Sequence, residues 1–246
     1  MTRPLALLVV SALLAPLAAC GGLVGGADGA DGLSGAERRA AEGWVELFDG
    51  ETLDGWRGFN RADAPRAWSV EDGALTFTPG TDDGGDLMAE GVHGDFELEL
   101  EWNVGACGNS GVFYAVEEGD GLDAPWRTGL EMQVLDDACH PDGKYPSHRA
   151  GALYDLYVPL AEAARPAGAW NRARIVVRDG RIEHWLNGQQ LVAAETGTDD
   201  WRARIAASKF RDAGAFPAYG TRQRGRIGVQ DHGDPVAYRN IRIRAL

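Results

Sequence analysis

Apolar and polar residues alternate along much of this chain, the pattern of strands with one face buried and one face wet. The clearest run is 95–103: Phe96, Leu98, Leu100 and Trp102 fall on one face, Glu97, Glu99, Glu101 and Asn103 on the other. Successive side chains of a strand point to opposite faces, so an acidic face turned to water accounts for this run. Residues 107–114 and 129–137 read as two more strands, joined across a loop at 117–126. On the second, Glu131 and Gln133 share one face while Leu130, Met132 and Val134 share the other. That polar face is the expected floor of a binding groove.

The remaining pattern supplies short strands and tight turns. Residues 44–48 alternate as a strand, and Glu71-Asp72-Gly73 separates 67–70 from 74–78 as a hairpin would. Asp179-Gly180 and Asn187-Gly188 divide 170–194 into a three-strand meander, because both dipeptides tolerate the positive φ of type I′ turns. Residues 199–210 carry the one helical pattern, with Asp199 or Asp200 as the cap and Trp201, Ile205 and Ser208 near one face. Residues 36–43 allow a single helical turn, and 225–230 and 236–243 are strand-like. The polar loop 81–86 carries carboxylates but not the ligand spacing of an EF-hand, and reads as a solvated loop. About a dozen strands without a βαβ rhythm predict an all-β fold, a β-sandwich or jelly roll with one short helix, over a single domain at 44–246. No internal repeat, P-loop, GxSxG or HExxH motif is present.

Charge narrows the ligand class. The net charge is −13, from 37 acidic and 24 basic side chains, and such a surface repels nucleic acid. The N-terminus reads as an address: Arg3, an apolar run from Leu5 to Leu17, then Leu17-Ala18-Ala19-Cys20. This resembles a bacterial lipobox, with 1–19 a signal peptide and Cys20 the lipidated residue; a plain secretory signal is the alternative. The run is too short to span a bilayer. Gly21 follows the cysteine, which points to the outer membrane, facing the periplasm or the cell surface. The Gly/Asp/Ala-rich stretch that follows makes 20–43 a flexible tether. Of 3 cysteines, Cys107 and Cys139 then remain, and in an exported protein they are expected to form a disulfide. The alternative, a metal site with His140, matches no familiar zinc spacing.

Several motifs, taken in order, resemble the 3-keto-disaccharide hydrolase domain family. They are Leu47-Phe48-Asp49-Gly50 with Leu53-Asp54-Gly55-Trp56, Gly108-Asn109-Ser110-Gly111-Val112-Phe113, Glu131-Met132-Gln133-Val134-Leu135-Asp136, and Gly151-Ala152-Leu153-Tyr154-Asp155. Further on come Pro166-Ala167-Gly168-Ala169-Trp170-Asn171, Trp185-Leu186-Asn187-Gly188, Gly225 to Gly233 and Arg239-Asn240-Ile241. Cys139-His140-Pro141-Asp142 and Ser208-Lys209-Phe210 resemble a subgroup that often carries the same cysteine pair. The resemblance implies a concanavalin-like jelly roll whose concave sheet holds carbohydrate, and activity on glycosides oxidised to a ketone at carbon 3. Two departures stand out: Tyr114-Ala115-Val116 where many members carry an Arg, and Leu130 where an aromatic often precedes the Glu.

A ketone at carbon 3 acidifies the hydrogen on carbon 2. Removing it expels the glycosidic oxygen from carbon 1, and water adding back completes a net hydrolysis. This needs a base, a donor to the enolate and an acid for the leaving group, not the opposed carboxylates of an ordinary glycosidase. Glu131 is the favoured base and His140 the other candidate, since a neutral imidazole titrates near working pH. Lys209 is the candidate enolate donor and His232 a candidate acid, unless it only supports the Asp231-His232-Gly233 turn. Asn109, Gln133 and Gln230 would bind sugar hydroxyls, Asp136 and Asp155 would orient these groups or hold a cation, and Trp126 and Tyr154 would stack on a sugar ring. His93 and His148 receive no role. No cofactor is inferred, and a divalent cation is compatible with the residues. The alternative function is a non-catalytic carbohydrate-binding lipoprotein on the same fold.

Overall fold

The computed structural model describes residues 34–246. The expected signal peptide, Cys20 and most of the expected tether lie outside the described residues. Within 34–38, Ser34 and Glu37 cap each other at the start of helix α1 (Gly35–Ala41). Residues Arg39–Leu246 form one compact unit.

Thirteen described strands follow: β1 (Val45–Glu46), β2 (Trp56–Gly58), β3 (Trp68–Glu71), β4 (Ala74–Phe77), β5 (Leu87–Ala89), β6 (Phe96–Val104), β7 (Asn109–Val116), β8 (Leu130–Leu135), β9 (Asn171–Arg178), β10 (Arg181–Leu186), β11 (Gln189–Glu195), β12 (Arg226–Val229) and β13 (Val236–Ala245). They make two antiparallel sheets. The larger runs β11-β10-β9-β6-β13-β4-β3, with β1 pairing onto β13. The smaller runs β2-β5-β12-β7-β8. This is the jelly-roll sandwich that the alternation predicts.

The core lies between the sheets. Leu98, Leu100 and Trp102 of β6 and Ala173 and Ile175 of β9 belong to one buried cluster with Val112 and Tyr114 of β7 and Leu130, Met132 and Val134 of β8. Period-two patterning thus explains one face of each sheet. The meander turns also follow the sequence: Asp179, Gly180, Asn187 and Gly188 have φ of 49°, 77°, 50° and 84°.

The outer face of β6 differs from the expectation. Glu97, Glu99 and Glu101 do not simply face water; they lie in a ladder with arginines of β9 and β13. Glu97 pairs with Arg174 and Arg244, Glu99 with Arg172 and Arg242, and Glu101 with Arg239. Register sets this, since Glu99 lies opposite Arg174 on one side and Arg242 on the other. Glu97 is 4% exposed. Single-strand alternation cannot show it, because the arginines come from strands 70 or more residues away.

Helix α2 (Asp199–Ala207) begins one residue earlier than expected: Thr198 is the cap, its Oγ accepting from Trp201 N at 3.2 Å. It stops at Ser208, where the backbone turns extended (φ −89°, ψ 177°) before a 3-10 turn over Lys209–Arg211. That break carries Lys209 away from the helix axis. The loop at 81–86 is less solvated than expected, since Asp83 pairs with Arg61 and Asp86 accepts from Asp231 N at 2.9 Å.

Candidate active site

The second face of the smaller sheet floors a cavity of about 370 Å³. Asn109 from β7, Glu131 and Gln133 from β8 and Gln230 just past β12 form the floor; Trp126, Tyr154, Lys209, Phe216 and His232 form the walls. Sheet register brings the floor together. Glu131 lies opposite Phe113 and Gln133 opposite Gly111, and Gln230 N donates to Gly111 O at 2.9 Å. At the centre sits Gly111, where an added Cβ would collide with the Glu131 carboxyl. The missing side chain is what lets Glu131 lie across the floor.

Glu131 is 5% exposed. Burial pushes its pKa up to about 8; Lys209 opposes that rise, and the carboxylates of Asp86 and Asp142 add to it. Burial in turn lowers Lys209, against the pull of Glu131, Asp155 and Asp142. A carboxyl and an ammonium whose pKa values are drawn toward neutrality suit proton transfer. Lys209 is held from behind by its backbone N, which donates to Asp155 Oδ2 at 2.8 Å.

Three polar atoms in the floor, Asn109 Oδ1, Gln133 Nε2 and Gln230 Oε1, are buried without a partner. Each such orphan costs about 1–3 kcal/mol, a cost that a ligand rich in hydroxyls relieves. Cavity and orphans coincide, which marks the site as one shaped for a polar ligand.

Several sequence-predicted residues take other places. Asp136 does not line the cavity: its carboxylate accepts from Cys107 N at 2.8 Å and Ala138 N at 3.3 Å, bracing the loop closed by the Cys107–Cys139 disulfide. Asp155, expected to orient the site groups, lies outside the lining and accepts from Lys209 N at 2.8 Å, with His148 Nε2 3.2 Å from its other oxygen. Tyr154 does not offer a stacking face. His148 is stacked on its ring at 4.4 Å and Lys209 Nζ sits 4.2 Å from its centroid, while the Tyr154 hydroxyl lies 3.5 Å from Asp142 Oδ2. Trp126 packs against Phe216 at 5.9 Å and beneath the Arg127 guanidinium at 4.5 Å.

The two candidate bases separate on hydrogen bonding. His140 Nδ1 accepts from Asp142 N at 3.1 Å, capping the 3-10 turn Pro141–Lys144. A neutral ring then carries its proton on Nε2 and has no free lone pair, whereas the Glu131 carboxyl lines the cavity. The same bond bears on a cation. Among the described residues His140, His232 and Asp234 offer ligand atoms within 4.8 Å of one another, but ligation by His140 Nε2 would put a proton on Nδ1 against the Asp142 N–H. The second cluster contains Cys107 and Cys139, whose sulfurs are bonded to each other.

Asp86, Asp142, His148, Phe216 and Asp234 escape the sequence reading as site residues. Asp142 closes the quoted Cys139-His140-Pro141-Asp142 motif without a role assigned to it, and its proximity to Glu131 gave no signal along the chain. Phe216 lies in an irregular segment without periodicity.

A jelly roll with a polar cavity on one sheet defines a carbohydrate-active class, and the sequence agrees. Residues 43–244 match the profile of the 3-keto-alpha-glucoside-1,2-lyase-like domain, and the chain belongs to that family. It is 36% identical over 230 residues to a 3-keto-disaccharide hydrolase of Bacteroides thetaiotaomicron, covering 84% of this chain and 79% of the relative. A crystal structure of a candidate glycosyl hydrolase from Parabacteroides distasonis superposes with a TM-score of 0.78 at 35% identity, covering 85% of this chain and 97% of that one. A Bacillus subtilis protein with a galectin-like fold shares the fold at 12% identity, with a TM-score of 0.52 and 78% and 90% coverage.

Proposed function

We propose that this chain hydrolyses 3-keto-glycosides, such as 3-keto-disaccharides and 3-keto-glucosides, by elimination followed by rehydration. The observation that carries this is Glu131, the one carboxyl among the described residues lining the cavity, raised to about 8 by burial and sharing the site with Lys209. Glu131 takes the carbon-2 hydrogen. Lys209 donates to the oxygen on carbon 3 as negative charge develops there. Asn109, Gln133 and Gln230 hold the remaining hydroxyls through their unpaired atoms. The name of the Bacteroides relative supports the substrate class, and a purely binding role is not favoured beside it. The test offers purified protein 3-keto-trehalose and trehalose side by side. Release of 3-keto-glucose from the first alone is expected; cleavage of both at similar rates, or saturable binding without turnover, would sink the proposal.

We further propose that Cys20 is lipidated and that the protein works at the bacterial cell envelope, anchored in the outer membrane. Leu17-Ala18-Ala19-Cys20 supports the anchor, and a paired Cys107–Cys139 suits an oxidising compartment. Mass spectrometry of the mature N-terminus should find a diacylglyceryl thioether on Cys20. A free Cys20 thiol would contradict it.

A further inference from the structure

Asp231-His232-Gly233-Asp234 brings His232 to the cavity, and its pieces divide their work. Asp231 builds the turn, its carboxylate accepting from Gly233 N at 2.8 Å and Gly85 N at 2.7 Å. His232 is therefore not needed for the turn and lines the cavity with Glu131. Its Nε2 is 3.4 Å from Asn109 Nδ2 and its Nδ1 is 3.8 Å from Asp234 Oδ2. Asp234 is itself fixed, because Oδ2 also accepts the backbone N–H of Asn109 at 3.1 Å.

These contacts select one tautomer. An amide nitrogen only donates, so Nε2 is the unprotonated nitrogen and the ring proton faces Asp234. Turning the Asn109 amide over would demand Nε2–H, leaving the Nδ1 lone pair against a carboxylate. The neighbouring His140 ring stands edge-on at 6.0 Å and already spends Nδ1 on Asp142 N.

We infer that Asp234 is a positioning residue that sets His232 as the second proton carrier of the site, serving first the leaving oxygen and then the incoming water. This rests on the elimination–rehydration reading. As Glu131 takes the carbon-2 hydrogen and the carbon 1–oxygen bond breaks, the imidazolium gives its Nε2 proton to the departing oxygen. The ring left behind is the neutral tautomer that these contacts favour, Nε2 free and Nδ1–H toward Asp234. It then takes a proton from the water that bonds to carbon 1, while Glu131 returns its proton to carbon 2. One water is consumed, and both residues end as they began. Asp234, facing Nδ1, keeps Nε2 aimed at the cavity.

The test varies the leaving group. Nitrophenol release from 4-nitrophenyl 3-keto-glucoside reads elimination with an oxygen that needs no proton, whereas 3-keto-trehalose expels a poor one. Asp234→Asn keeps an oxygen for Asn109 N and loses the charge; Asp234→Ala loses both. Both variants, checked for native melting, are expected to fall about 10- to 100-fold further on 3-keto-trehalose than on the nitrophenyl substrate. Glu131→Gln should fall on both alike. Equal losses on the two substrates, or none, in the Asp234 variants would overturn the assignment. A wild-type protein inert toward both would instead overturn the reaction reading on which it rests.

Discussion

Glu131→Gln is expected to lose about 10²- to 10⁴-fold in turnover of 3-keto-glycosides while gaining stability in alkaline solution. The amide keeps the shape of the side chain and cannot take a proton. Gly111 still leaves room for it, so folding is not disturbed. The stability effect follows from linkage. The folded pKa of about 8 lies above the ordinary 4.5, so the native state holds this proton more tightly than the unfolded chain. The resulting stabilisation is complete below pH 4.5 and is lost as pH rises through 8. Beyond that, wild type carries a buried charge that the variant lacks, a difference on the order of 5 kcal/mol. Denaturant titrations at about pH 5 and about pH 9 check it: the variant should gain on wild type at the higher pH. On 4-nitrophenyl 3-keto-glucoside, whose leaving oxygen needs no proton, wild-type kcat/KM should climb with pH toward about 8 as Glu131 ionises. An inactive variant that is less stable at every pH would mean that Glu131 holds the fold rather than the reaction.

Replacing both Cys107 and Cys139 by Ser is expected to cost about 4 kcal/mol, the chain-entropy value for a closure spanning 32 residues. The bridge ties the start of β7 to the loop after β8, the two strands that carry Asn109, Glu131 and Gln133. Asp136 reinforces the same junction through Cys107 N. The variant should therefore unfold at lower denaturant and lose affinity for substrate before turnover chemistry, seen as a KM increase that exceeds the fall in kcat. An unchanged unfolding midpoint would show that the bridge does not constrain the chain.

The sandwich was legible because alternation reports directly on which face of a strand is buried, and Leu130, Met132 and Val134 needed nothing more. The floor was legible for the same reason, since Glu131 and Gln133 break the apolar pattern on one face only. What alternation cannot carry is the identity of the partner strand. The Glu97, Glu99 and Glu101 face looked solvent-directed because its arginines arrive from β9 and β13. The walls were partly hidden for a related reason. His148 and Asp142 reach Tyr154 and Lys209 through short irregular turns, where no periodicity links sequence to direction. Asp136 was misplaced because an acidic residue closing a strand looks the same whether it meets a ligand or caps a backbone amide.

The central claim is that the carbon-2 hydrogen leaves and returns. It is tested most directly by running the cleavage of 3-keto-trehalose in deuterium oxide and reading carbon 2 of the newly formed 3-keto-glucose by NMR, against an enzyme-free control for spontaneous exchange. Water must enter the site to add to carbon 1, and a carboxyl proton exchanges with it rapidly, so elimination and rehydration through Glu131 predict deuterium at carbon 2 in the earliest product. Product formed at full rate with only protium at carbon 2 would mean direct hydrolysis, and would contradict the account.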